Sequence, residues 1–290
     1  MYAAVDLGAS NLRVAKADEA GTLLDFTKVS TASCKTGEEI TGLIISLIEK
    51  QFAGEKPAAI GVSTAGPIDK KSGDAVHSPN MCCERVHLKA PLQNYFSCPV
   101  AVATDCKAAV LAEYAKNPAD TLVYITFSTG VGAGVISGGR LLEGADGNAS
   151  EIGHMTVDTK YNLPCGCGGF GHLEAYTGGA NIPRFYRAFC GAEAKCAADI
   201  FSAAKTGVIS AQEFIEELAR VCGRGLSNII AAYNPDKIIL DGPLVQENPG
   251  FTEKIADSID TYLFLPEIAV SDLEGRAPLL GAALLAKAAK

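Results

Sequence analysis

Twice in this chain a short apolar, β-branched run ends in a glycine turn and resumes as a second apolar run, at residues 3–13 and again at residues 121–136. Each copy is followed by further strand patterns and then helical ones. That duplication predicts an α/β protein of two similar halves whose glycine turns face each other across a cleft. The second turn, S-T-G-V-G-A-G at 128–134, follows T-L-V-Y-I-T-F at 121–127, whose β-branched and aromatic content predicts a buried strand. Gly130, Gly132 and Gly134 let backbone amides approach a bound group without side-chain hindrance, and such amides suit a phosphate oxyanion. The first turn, Gly8-Ala9-Ser10-Asn11, follows the strand Tyr2–Asp6 and opens a β-meander. No G-K-[ST] and no helix follow it, so it is not a P-loop. It reads either as an ordinary hairpin or as a turn whose Ser10, Asn11 and amides meet phosphate, with Asp6 near a metal ion.

Beyond these turns the pattern alternates. Thr36–Phe52 carries Ile40, Leu43, Ile44, Leu47 and Ile48 at helical spacing, with Glu38 and Glu39 placed to suit the helix dipole. Ala58–Val62 and Val100–Ala103 are short buried strands, with a loop bent by Gly66 and Pro67 after the first of them. Asn80, in the polar loop Ser78-Pro79-Asn80, is either a turn residue or a partner for a sugar hydroxyl, since its amide both donates and accepts. Asp105 stands at a strand-to-helix junction, which makes it a natural N-cap and also a carboxylate able to project into a cleft and take a proton. Residues 174–190 predict one helix, Ala194–Lys205 another and Ala211–Tyr233 a long one. Lys237–Leu240 is a buried strand with a tight turn at Asp241-Gly242-Pro243, and Pro278–Lys290 is a closing helix.

The stretch after the second glycine turn concentrates polar chemistry. It holds a carboxylate–imidazole pair, E-I-G-H at 151–154, then sulfur and nitrogen donors in P-C-G-C-G-G-F-G-H-L-E at 164–174. Ten cysteines could suggest disulfides. The opening M-Y-A-A-V-D-L-G has no basic segment or cleavage pattern, and the spacing of Cys165 and Cys167 is tight. Together these predict a reducing cytoplasm with some thiols on metal. A net charge of −8 argues against nucleic-acid or anionic-membrane partners. No apolar run reaches the roughly 18 residues of a membrane span.

Taken together, D-L-G-A-S-N-L-R at 6–13, G-V-S-T-A-G-P-I-D at 61–69, S-P-N at 78–80, D-C-K-A-A-V-L-A-E at 105–113 and S-T-G-V-G-A-G at 128–134 resemble the ROK family of sugar kinases, in the family's order. E-I-G-H at 151–154, C-G-C-G-G-F-G-H-L-E at 165–174, N-P-D-K-I-I-L at 234–240 and L-G-A-A at 280–283 continue the resemblance to the end of the chain. It implies a two-lobed actin-like ATPase (ribonuclease H-like) fold with a central cleft. The lobes expected are a small one over 1–116, joined by the C-terminal helix 279–290, and a large one over 117–278 with a zinc-binding insertion.

The resemblance also implies an ATP-dependent hexokinase or glucokinase-type phosphotransferase acting on a hexose hydroxyl, with Asp105 as general base. Asn80, Glu151, His154 and Glu174 match its sugar-binding residues. Gly8, Ser10, Asn11, Thr129, Gly130, Gly132 and Gly242 match its nucleotide side, with magnesium near Asp6. Family members hold a structural zinc through one histidine and three cysteines. Here His154, Cys165 and Cys167 are kept and His172 replaces the third cysteine, which leaves a chemically complete donor set. The alternative is two free thiols in a glycine-rich turn. Thr104 and Lys107 stand where the family usually carries asparagine, which bears on the sugar bound. N-acetylmannosamine or another hexosamine is the alternative substrate. The expected assembly is a homodimer, with sugar and nucleotide as the partners. A non-catalytic sugar-sensing regulator is the rival of a different class. The regulators of the family carry an N-terminal helix-turn-helix, whereas here the phosphate strand begins at residue 2.

Overall fold

The structure, a computed structural model, describes residues 1–76 and 83–290. The element order begins with β1 (Tyr2–Leu7), β2 (Asn11–Ala17), β3 (Leu23–Ser30), α1 (Gly37–Phe52), β4 (Ile60–Thr64), β5 (Ile68–Asp69), β6 (Asp74–Val76), β7 (Arg85–Val86), α2 (Lys89–Phe96), β8 (Val100–Thr104) and α3 (Asp105–Lys116). It continues with β9 (Thr121–Phe127), β10 (Val131–Ser137), β11 (Arg140–Leu141), a 3-10 turn (Ile152–His154), α4 (Leu173–Thr177), α5 (Ile182–Cys190), α6 (Ala197–Lys205) and α7 (Ile209–Tyr233). Last come β12 (Lys237–Asp241), α8 (Pro243–Gln246), α9 (Phe251–Asp257), β13 (Glu267–Val270) and α10 (Ala277–Ala289). Two compact units result. One is Met1–Pro118 with Leu141–Ala149 and Leu273–Lys290; the other is Ala119–Arg140 with Ser150–Asp272.

The first unit is a mixed sheet in the order β3-β2-β1-β4-β8. β1–β2–β3 is an antiparallel meander, while β4 runs parallel to both β1 and β8. Every residue of β1 is buried, and alternate side chains enter different cores, as the strand period of two requires. Ala3, Val5 and Leu7 join Ile40, Ile44, Leu47 and Ile48 of α1 in a core of bulky aliphatics. Tyr2 and Ala4 instead meet Leu279, Ala282, Ala283 and Ala286 of α10 in a core made mostly of alanine. Thr36 caps α1, its hydroxyl accepting from the Glu39 amide at 3.2 Å.

The second unit has the sheet order β11-β10-β9-β12-β13, with β9 and β10 antiparallel and β9, β12 and β13 parallel. The long α7 buries Phe214, Leu218, Val221, Cys222, Leu226, Ile229 and Ile230. Its C-terminus closes on Asn234 in the left-handed region, φ 43°. Where the sequence predicts one helix over 174–190, two short ones form, α4 and α5. The chain between them is drawn to the glycine turn before β10, because the Gly179 amide donates to the Ser128 carbonyl at 2.7 Å and the Ala180 amide to that of Thr129 at 3.2 Å. Among the described residues no helix is long and apolar enough to cross a membrane.

Candidate active site

Asp6 closes β1 and lies directly opposite Arg13 across the β1–β2 hairpin. Its carboxylate is buried and engaged: Arg13 Nε donates to Oδ2 at 2.7 Å, Arg13 Nη2 lies 2.6 Å from the same oxygen, and Ser63 Oγ donates to Oδ1 at 3.1 Å. The hairpin turn is tight, the Gly8 amide donating to the Asn11 carbonyl at 2.9 Å. Ser10 and Asn11 are exposed on it. The sequence reading gave Arg13 and Ser63 no role. The cross-strand register of an acid and a base seven residues apart was the available signal for the first.

Asp105 is the first residue of α3, and Thr104, still extended at φ −66° and ψ 155°, is the N-cap. The expected cap at Asp105 is therefore displaced by one residue, because β8 runs through Thr104 before the helix begins. Asp105 is half-buried, and its Oδ1 accepts from the Cys106 amide at 2.7 Å. Two residues on, Lys107 is buried and its ammonium donates to the Gly147 carbonyl. Asn80 lies outside the described residues.

In the second unit one glycine turn gathers several motifs. The Val131 amide, which begins β10, donates to Glu174 Oε2 at 2.9 Å. That approach requires glycine at 130, where a Cβ would stand 2.3 Å from the same oxygen. Gly153 of E-I-G-H packs on the same residue, since a Cβ there would meet the Val131 carbonyl oxygen at 2.3 Å. The turn thus fixes both Glu174 and the 3-10 turn that carries His154, while Glu151 just before it is exposed. His154 Nε2 faces Glu151 Oε2 at 3.8 Å and its Nδ1 faces Cys165 Sγ at 3.5 Å. Thr129 is exposed, and Gly130 and Gly132 are half-buried. Gly242, at φ 94°, follows β12, where the Asp241 carboxylate takes the Gly242 amide at 2.7 Å and the Tyr124 hydroxyl at 2.8 Å.

The sulfur and nitrogen donors converge. His154, Cys165, Cys167 and His172 offer ligand atoms that all lie within 4.8 Å of one another. Cys167 Sγ is 3.2 Å from His172 Nδ1. Zinc bonds of about 2.0–2.3 Å in a tetrahedron require donor separations of roughly 3.3–3.8 Å, so this set could hold the ion with small adjustments. Burial first, with Cys167 and Glu174 adding to it, pushes the Cys165 thiol above its ordinary value. A bound cation would reverse that by favouring thiolate. Bridges pairing Thr156 with His172 and Pro164 with Phe170 fold the loop so that its donors meet. Behind it the Tyr176 hydroxyl donates to Asp158 at 2.8 Å and accepts from the Leu163 amide at 3.1 Å. Burial, then the bond to Asp158, pushes that phenol up to about 12. Sequence reasoning missed this buttress, because neither residue belongs to a motif.

Comparison with known proteins places these motifs. The ROK family matches residues 2–289. The chain belongs to the ROK family. Among its relatives a glucokinase of Pyrobaculum calidifontis is 40% identical over 248 residues, 85% of this chain and 80% of that protein. The ROK hexokinase from Thermus thermophilus superposes with a TM-score of 0.86 at 29% identity, covering 98% of this chain and 97% of that one. A ROK family glucokinase from Streptomyces griseus, in complex with glucose and AMPPNP, gives a TM-score of 0.79 at 28% identity over 99% of each chain. The α/β architecture is accordingly the actin-like ATPase fold of ROK sugar kinases.

Proposed function

We propose that this ROK protein is an ATP-dependent hexose kinase of the glucokinase type, with Asp105 as its general base. The observation that carries the reading is the 40% identity to a glucokinase over most of both chains. The placement of Glu151, His154 and Glu174 around one glycine turn supports it. The sugar hydroxyl oxygen bonds to the γ-phosphorus of ATP as the bond from that phosphorus to its bridging oxygen breaks. ADP departs, and Asp105 accepts the hydroxyl proton. A carboxylate suits the task because it is ionised at neutral pH and can only accept. Glu151, His154 and Glu174 bind the sugar, with Asn80 a further contact.

Gly8, Ser10, Asn11, Thr129, Gly130, Gly132 and Gly242 serve the nucleotide. Magnesium, carried by the phosphates, neutralises the β/γ oxygens when bound. Arg13 already holds the Asp6 carboxylate, so Asp6 would serve that ion through bound water, which magnesium gives up reluctantly. Zinc on His154, Cys165, Cys167 and His172 would fix the His154 ring by Nδ1 and leave Nε2 for a sugar hydroxyl.

The test is ATP consumption over a panel of glucose, mannose, fructose, N-acetylglucosamine and N-acetylmannosamine. Turnover with a neutral hexose is expected. Turnover confined to N-acetylmannosamine would shift the substrate to the hexosamines. Sugar binding without ATP consumption would replace the kinase by a sensor.

A further inference from the structure

Six described residues other than glycine have positive φ: Ala53, Ser97, Ser150, Asn162, Asn234 and Glu274. Ala53, Ser97 and Asn234 terminate helices, where a left-handed residue completes the capping hydrogen bonds. Asn162 is of the residue type that tolerates the region. Ser150 has neither excuse. Its φ of 76° is the largest of the six and lies farthest from the left-handed minimum near 57°. It caps no helix. Its carbonyl accepts from the Ile152 amide at 2.8 Å, a tight turn leading directly into E-I-G-H.

Ser150 is also 6% exposed, and its Oγ is sealed from solvent with no hydrogen-bond partner. A hydroxyl taken out of water and given nothing in return destabilises the chain, as does a strained backbone. Both liabilities fall on one residue, and the next residue is Glu151. The segment before it, Leu141–Ala149, packs with the first unit, so Ser150 is where the chain returns to the second. Lys107 and Lys70 hold that segment, the first on the Gly147 carbonyl and the second paired with Glu143 at 3.1 Å. With its upstream side held, the turn at Ser150 cannot relax by shifting along the chain.

We infer that Ser150 is a positioning residue for Glu151, kept strained and with an unpaired hydroxyl in the free protein, and relaxed when a hexose engages that carboxylate. The inference rests on the kinase reading above. The backbone dihedral at 150 sets the direction in which Glu151 leaves the turn. Relief of the strain and a partner for Oγ then add to the affinity for sugar, with no contribution to nucleotide binding.

Two variants separate the elements of the idea. Ser150→Gly removes the hydroxyl and makes the left-handed conformation free of strain. Ser150→Ala removes the hydroxyl and keeps the strain. S150G is expected to melt higher than the wild type in the absence of ligand. Its hexose KM should rise about tenfold, the equivalent of one hydrogen bond, while kcat and the KM for ATP stay within about twofold. The upward shift in Tm caused by saturating glucose should be smaller in S150G than in the wild type. S150A, which loses the unpaired hydroxyl and keeps the strain, should show a smaller gain in unliganded stability and a smaller rise in hexose KM than S150G. Active variants with wild-type hexose KM and a wild-type glucose shift would overturn the inference and leave the kinase reading standing. A wild-type enzyme that neither binds nor phosphorylates any hexose overturns both.

Discussion

The two glycine turns look alike in the sequence and are braced in different ways. The first, at Gly8–Asn11, is an exposed hairpin end, and its neighbouring carboxylate is neutralised from the facing strand by Arg13. The second, at Ser128–Gly132, is held from outside the strand pair. Glu174 of α4 accepts the Val131 amide, Gly153 packs against the Val131 carbonyl, and the loop after α4 binds the carbonyls of Ser128 and Thr129. A turn that only has to present amides needs a strand and a local ion pair. A turn that must also orient carboxylates and an imidazole needs cross-links to several later segments. In the function proposed above, the general base belongs to the first unit and the sugar-binding Glu151, His154 and Glu174 to the second, while residues of both serve the nucleotide.

The largest expected effect tests that division. Asp105→Asn should lower kcat by about 10²–10⁴-fold, the usual contribution of a general base, while calorimetry finds glucose affinity nearly unchanged. A variant that loses binding and keeps its rate would reverse the roles. Next, Arg13→Met leaves the buried Asp6 carboxylate without its counter-charge, which should destabilise the protein by about 3 kcal/mol in urea unfolding. Chelation of zinc from the His154/Cys165/Cys167/His172 set should release about one equivalent of metal and lower Tm by roughly 5–10 °C, with hexose binding weakened more than nucleotide binding. Metal analysis that finds no zinc in a fully stable protein removes that arm. Smallest is Gly130→Ala, whose Cβ drives Glu174 off the Val131 amide. The cost should be about 1–3 kcal/mol in stability, together with a raised hexose KM. An unchanged KM there would mean that the second turn is braced by its other contacts alone.

Much of this was legible in the residues. The strand–glycine-turn–strand duplication located β1–β2 and β9–β10. The apolar stripe of residues 40–48 marked the buried face of α1, and Cys165, Cys167 and the two histidines lie together as the family resemblance implied. What escaped was set by contacts between distant residues. The break between α4 and α5 depends on the carbonyls of Ser128 and Thr129, which helical periodicity cannot register. The Asp158–Tyr176 buttress joins residues of no motif. The N-cap at Thr104 rather than Asp105 turned on where one strand stopped, a boundary that pattern reading fixes only to within a residue or two.

The alanine-faced core beneath α10 has a consequence for biosynthesis. The strands β1, β2 and β4 are made well before Leu279, Ala282, Ala283 and Ala286 of α10, which cover one face of their sheet. Strands made earlier therefore wait on a helix made much later. Until α10 is made, Tyr2, Ala4, Ala15 and Ala17 lack that cover, which is the condition in which nascent chains associate with one another or with chaperones.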